Sequence, residues 1–290
     1  MRVLFVADFF ADFARDPNNS WIGGAEQTDA AVIAACPWPI ERAPVRELAK
    51  YRPDDFDLLV LGNLETSTRG DCEMLTRRGR HVLFEHDYRM CRYRGDPRHG
   101  LLHRLTGRCV CRQGRFGKLF ESALGAVFLT QRQLERYRLN PFVRLPATEV
   151  LGGSVMGDAF FESVRNLRAR QLPKQGTLVV HSKAAIKGYE AALAYCKAHG
   201  LEPDVVRNAS PAEMLERLAR AEQLVFLPTW YEPASRLAVE ARFLGCRVVS
   251  NHRLGVAGEP WWDQPDEVGL ELLQRAPQRF WDTVERFARR

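Results

Sequence analysis

The segment YEPASRLAVEARFLGCRVVSN, Tyr231 to Asn251, carries two carboxylates, Glu232 and Glu240, inside a stretch otherwise suited to a core. Pro233 suits the first position of a helix, where its missing N–H costs nothing. A helix starting there gathers unpaired N–H groups near Ala234, Ser235 and Arg236, an arrangement that attracts phosphate. At about 100° per residue, Leu237, Ala241 and Leu244 form one apolar stripe, and Glu240 falls roughly 60° from Leu237 at its edge. A carboxylate at the edge of a core needs a partner. Two partners fit: Arg236, four residues earlier on the same helix face, or a pair of ligand hydroxyls such as a ribose diol.

Other residues have the type and place for chemistry. Lys187 precedes a helical pattern, where its charge opposes the helix dipole; it is either a solvated lysine or a ligand for a diphosphate. In FEHDYR, His86 and Asp87 follow a predicted strand directly, the place where open α/β sheets bind ligands. Gly23 and Gly24, in WIGGAEQ, stand just before a helix; glycine permits a positive φ and a close backbone approach to a ligand. The pair does not complete a G-x-G-x-x-G fingerprint.

The elements that must hold these residues alternate. Strands are predicted at Val3–Ala7, Leu58–Leu61, Val82–Phe84 and Ala126–Leu129, with helices at Ala25–Cys36, Cys72–Arg77 and Gln131–Arg138. The polar stretch RNLRARQLPKQG, Arg165–Gly176, reads as a linker. The alternation then restarts: strands at Thr177–His181, Asp204–Val206, Leu224–Leu227 and Val248–Ser250, with helices at Lys187–Ala198, Pro211–Arg220 and Leu237–Leu244. Helices near Glu267–Leu273 and Gln278–Arg289 close the sequence. This predicts an α/β protein with parallel sheets and two domains, in keeping with 290 residues.

Charge is concentrated. Between Arg89 and Lys118 nine basic residues face only Asp96, a net +8 in a chain whose total is +6. Such density favours an anionic partner. Tyr88, Tyr93 and Phe116 lie within or beside the run, which suits nucleic acid; an acidic membrane surface fits as well. The seven cysteines are scattered and odd in number, a pattern of a reducing, cytoplasmic compartment. Cys91, His99, His103, Cys109 and Cys111 are metal-ligand types, but their spacing matches no standard zinc knuckle, so no metal is expected. Asp55 and Asp57 precede their strand and read as a solvated turn. No apolar run reaches the ~20 residues of a membrane span.

EPASRLAVEARFLGCRVVSN resembles the E-x7-E motif of retaining GT-B glycosyltransferases, in particular glycosyltransferase family four. Glu232, Pro233, Glu240, Ala241, Gly245, Val248 and Val249 match; Ala234 and Ser235 replace the usual Phe-Gly, and Arg247 the usual Pro. HSKAAIKG resembles the family's lysine-glycine turn, with Lys187 and Gly188 matching and Lys183 near the place of its arginine. VLGGSVMGDAFF resembles the segment leading into the hinge.

The resemblance implies two Rossmann-like domains facing across a cleft. Residues 1–164 would bind acceptor, 165–176 link, 177–275 bind donor, and 276–290 cross back to the first domain. It implies transfer of a sugar from a nucleotide-sugar, UDP- or GDP-linked, with retained configuration and no cofactor. Glu232 would lie near the donor sugar, Glu240 at the ribose, Lys183 and Lys187 at the diphosphate, and His86 near the reacting carbon. Gly23 and Gly24 would form the glycine loop, and Ala234, Ser235 and Arg236 the helix start. Related phage enzymes decorate hydroxymethylated bases. DNA is therefore the expected acceptor, held by Asp87, Arg89, Arg92, Arg94 and Arg98, with a glycan or lipid-linked acceptor at a membrane surface, or a non-enzymatic nucleic-acid-binding protein, as alternatives.

Overall fold

A computed structural model describes residues 1–12, 23–77, 79–112 and 114–290. Trp21 and Ile22 of the glycine-loop segment lie outside the described residues. The chain forms two compact units, residues 1–157 with 272–290, and residues 158–271.

The first unit runs β1 (Val3–Ala7), α1 (Gly24–Ala34), β2 (Ile40–Pro44), β3 (Leu58–Leu61), α2 (Arg69–Thr76), β4 (His81–Glu85), α3 (Leu101–Thr106), α4 (Gly117–Ser122), β5 (Gly125–Phe128), α5 (Gln131–Arg138) and β6 (Thr148–Val150). Its six strands are all parallel, in the order β2-β1-β3-β4-β5-β6. The inner strands are buried along their whole length. Helices cover both faces of such a sheet, so each strand reads as an apolar run. The edge strands β2 and β6 are half exposed and polar, IERAP and TEV, and carry no such run.

The second unit follows with α6 (Asp158–Ala169), β7 (Gln175–Val180), α7 (Tyr189–Ala198), β8 (Pro203–Val206), α8 (Pro211–Arg220), β9 (Ala221–Val225), α9 (Arg236–Phe243), β10 (Arg247–Val249) and most of α10 (Asp266–Gln274), whose last three residues belong to the first unit. Its four parallel strands lie in the order β10-β9-β7-β8. Both sheets are doubly wound, the arrangement that gathers ligands beyond the strands' carboxyl ends.

The last helix, α11 (Ala276–Ala288), belongs to the first unit. Phe280, Trp281, Val284 and Phe287 are buried along one face. The Trp281 indole N–H donates to Val32 O of α1 at 2.8 Å. A Cβ on Gly125 would sit 2.2 Å from the Phe287 ring, so β5 is opened by a glycine where that ring enters.

Two sequence expectations need correction. Arg165–Gly176 is not a linker: Arg165–Ala169 complete α6 and Gln175 opens β7. The break between units falls at 157/158, before α6 rather than after it. Helix α6 buries Phe160, Phe161 and Val164 at its start, while its arginine-rich second half shows little apolar signal.

Candidate functional site

In the second unit two loops meet beyond neighbouring strands. The loop after β7 turns through a short 3-10 stretch, Ala185–Lys187, and enters α7 through Gly188 at φ 72°. The loop after β9 crosses this turn. Thr229 N donates to Ile186 O at 3.0 Å, and its hydroxyl to Ala185 O at 2.9 Å. The approach is so close that a Cβ on Gly188 would stand 1.7 Å from Leu227 O. Both the positive φ and this contact require glycine at 188.

Lys187 and Glu232, 45 residues apart in sequence, are brought together: Nζ lies 2.8 Å from Glu232 Oε1. The carboxylate is buried, and the lysine side chain keeps 37% of its exposure. Glu232 is fixed through its backbone. It donates to Arg253 O at 2.9 Å, accepts from Gly255 N at 2.7 Å and forms an isolated parallel bridge with Leu254. Gly255 is needed for this, since a Cβ there would meet Pro233 O at 2.2 Å.

The helix start differs from expectation. Pro233 is not its first residue: α9 begins at Arg236, and the buried Ser235 is the cap, its hydroxyl accepting from Ala238 N at 3.4 Å. Ala234 is buried in the loop before it. Glu240 lies one turn in, paired with Arg236 at 3.8 Å, too long for a hydrogen bond. Burial pushes the Glu240 carboxyl above its ordinary range, with Arg236 pulling it back, and lowers the Arg236 guanidinium. Lys183 is exposed, on the loop just after β7.

The first unit places His86 directly after β4. Its Nε2 lies 2.6 Å from Asp29 Oδ1 of α1, and both side chains are buried. Burial raises the Asp29 carboxyl, against the pull of His86. Sequence reasoning misses Asp29. Its signal is helical spacing alone, beside Thr28 and Val32 on the buried face of α1. Gly23 caps α1 at φ −74°, ordinary extended backbone, so the expected positive φ is not used there; Gly24 is the first helical residue.

The arginine segment is only partly a surface. Arg89 is largely enclosed, its Nε 2.7 Å from Glu85 Oε1, with a further bond to Gly62 O at 2.7 Å. Tyr137 donates to the other oxygen of Glu85 at 2.6 Å, and burial beside that carboxylate raises its phenol well above the ordinary value. Arg89 is therefore held beneath the strand ends by Glu85 and Gly62, with its Nη1 buried and without a hydrogen-bond partner among the described residues. Arg94 is paired with Asp87, and Arg98 with Asp96 at 2.7 Å. Arg92 is exposed and lies over the Tyr93 ring. Asp55 and Asp57 are exposed in the turn before β3, as expected, and Asp57 accepts from Arg2 N. Among the described residues no helix is long and apolar enough to cross a membrane.

No family model and no curated protein matches the chain. Solved structures do. HepE of Anabaena in complex with UDP and glucose aligns over 98% of this chain and 99% of its own, at 14% identity and a TM-score of 0.60. AviGT4, a glycosyltransferase involved in avilamycin A biosynthesis, aligns over 99% and 98%, at 13% identity and 0.56. The trehalose-6-phosphate synthase OtsA aligns over 99% and 96%, at 11% identity and 0.52. At these identities the likeness establishes the fold: two Rossmann-like domains of the GT-B type.

Proposed function

We propose that the protein is a nucleotide-sugar-dependent glycosyltransferase, with its donor site at the strand ends of the second unit. The observation that carries the reading is the pairing of Lys187 with Glu232 on crossed loops, with Glu240 one turn into the following helix. A departing nucleoside diphosphate carries developing negative charge. Lys187 supplies a cation held at fixed position by its carboxylate partner, and the N-terminal end of α9 supplies partial positive charge. The sugar's C1–O bond to the diphosphate breaks as C1 bonds to an acceptor hydroxyl, whose proton passes to the departing diphosphate oxygen. Glu240 accepts from the ribose hydroxyls, and Lys183 assists at the phosphates. The complexes of HepE with UDP and with UDP-glucose support a uridine donor here. Retention of configuration rests on the E-x7-E resemblance.

For the acceptor we propose a hydroxymethylated base in DNA. Arg92, Arg98, Arg104, Arg108 and Arg112 are exposed along one connection of the first unit, which supports an anionic acceptor. A second reading is favoured by one observation. Leu101, Leu102 and Leu105, in the same connection, are 75%, 61% and 76% exposed. Apolar side chains among cations suit the surface of an acidic membrane bearing a lipid-linked acceptor.

The test is a panel of UDP- and GDP-sugars, scored for release of nucleotide alone, with hydroxymethylated DNA, and with anionic vesicles. Sugar on the DNA supports the first acceptor; binding to vesicles with no sugar on DNA supports the second. Failure to bind or hydrolyse any nucleotide-sugar removes the enzymatic reading.

A further inference from the structure

The connection from β4 to β5 is long and poor in core. Among its described side chains from 87 to 116, the buried ones are Tyr88, Met90, Cys91, Asp96, Cys109 and Phe116. Its helix α3 has six residues and turns three leucines to solvent. A helix of that length does not hold itself together. The chain reverses repeatedly, at Arg94 and Gly95 (φ 53° and 72°) and at Gly107 (φ 64°). These reversals bring four side chains to one point. Cys91 Sγ, His99 Nε2, Cys109 Sγ and Cys111 Sγ all lie within 4.8 Å of one another. His99 Nε2 is 3.9 Å from Cys91 Sγ and 3.3 Å from Cys111 Sγ.

We propose that these four residues form a structural zinc site of the Cys3His type. Zinc–sulfur bonds of about 2.3 Å and zinc–nitrogen bonds of about 2.0 Å, set tetrahedrally, imply ligand-to-ligand edges of roughly 3.5–3.8 Å. The two His99 edges bracket that range. Surrounding groups orient the ligands as metal sites require. His99 Nδ1 is held against Asp96 O, so it carries the proton and Nε2 turns its lone pair inward. The ring stacks on Tyr93, with centroids 4.6 Å apart. Asn140, just after α5, donates to Cys111 O at 2.8 Å and reaches within 3.8 Å of Cys109 Sγ. Three thiolates and an imidazole are a soft donor set that selects zinc over the hard cations. Four protein ligands leave no open position, so the role is structural.

The site gives the arginines a further purpose. Zinc with three thiolates carries a net negative charge. Each cysteine has an arginine as its chain neighbour: Arg92, Arg108 and Arg112. Cations in the same segment of chain offset that charge at longer range. This inference does not depend on the glycosyltransferase reading.

The experiment is elemental analysis of the whole chain purified without chelator. One zinc per chain is expected, falling at least fivefold in Cys109→Ser and Cys111→Ser and unchanged in Cys36→Ser. Cobalt put in place of zinc should show thiolate-to-metal charge-transfer absorption. Should the cysteine variants fail to fold, the wild-type chain decides: strong chelator should lower its melting temperature and added zinc restore it. A metal-free chain whose melting temperature ignores zinc overturns the site. So does an intact mass two daltons low, with a disulfide mapped to these cysteines.

Discussion

The two strand-end regions use charge in opposite ways. In the first unit, His86 with Asp29 and Glu85 with Arg89 and Tyr137 are buried sets whose members sit 2.6–2.7 Å apart. In the second unit, Lys187 keeps about a third of its exposure beside its buried carboxylate, and Glu240 stands 3.8 Å from Arg236. The first arrangement holds its charged groups in close pairs, although His86 Nδ1 and Arg89 Nη1 are buried with no hydrogen-bond partner among the described residues. The second keeps one cation part-exposed and one ion pair long, which suits the donor site proposed above.

The contrast can be broken by substitution. The largest effect is expected at Gly188→Ala. Its Cβ meets backbone, which cannot yield, and its φ is positive, so a loss of more than about 4 kcal/mol by urea unfolding is expected. Gly125→Ala meets only a phenyl ring, which can tilt, and should cost about 1–3 kcal/mol; equal losses at the two glycines would contradict this distinction. His86→Ala should cost about 3 kcal/mol, because it strands the buried Asp29.

Lys187→Ala should do the reverse. Turnover of the donor should fall about a hundredfold, while stability falls by less than in His86→Ala because water reaches the place of the part-exposed lysine beside Glu232. If Lys187→Ala chiefly loses stability instead, Lys187 holds the crossed loops together and supplies no charge to the leaving group. Glu240→Gln should weaken UDP binding roughly tenfold by calorimetry, because the ribose loses a charged acceptor. Unchanged affinity would leave Glu240 as the partner of Arg236 and nothing more. The smallest effect is expected from Arg92→Gln with Arg98→Gln. The slope of log affinity for DNA against log salt should flatten by roughly 0.9 for each phosphate these side chains cease to neutralise. An unaltered slope moves the acceptor away from these two side chains.

Much of this was legible in the sequence. The buried inner strands were visible as apolar runs, and α5 and α8 fall at Gln131–Arg138 and Pro211–Arg220 as predicted. The edge strands of the first sheet, β2 and β6, were not, because their half-exposed segments carry no such run, whereas β8 and β10 at the edges of the second sheet were. Glu232 and Lys187 stood out singly, but their meeting depends on β7 and β9 being neighbours, which no local pattern states. The fate of Arg89 was hidden for the same reason: its partner Glu85 lies outside the basic run, and charge counting within the run left it exposed. The gathering of Cys91, His99, Cys109 and Cys111 is invisible to spacing because turns, rather than two knuckles, bring them together.

The placement of α11 has a consequence for biosynthesis. The first unit is finished by residues 272–290, which fill the gap at Gly125 and seat Trp281 on α1. On the ribosome the whole second unit is made in between, a wait on the order of ten seconds at usual elongation rates. During that wait the β5 face that receives Phe287 is bare, while the second unit, continuous in sequence, is free to fold first. The nascent chain therefore completes the second unit before the first can be closed, so the half translated earliest is the half finished last.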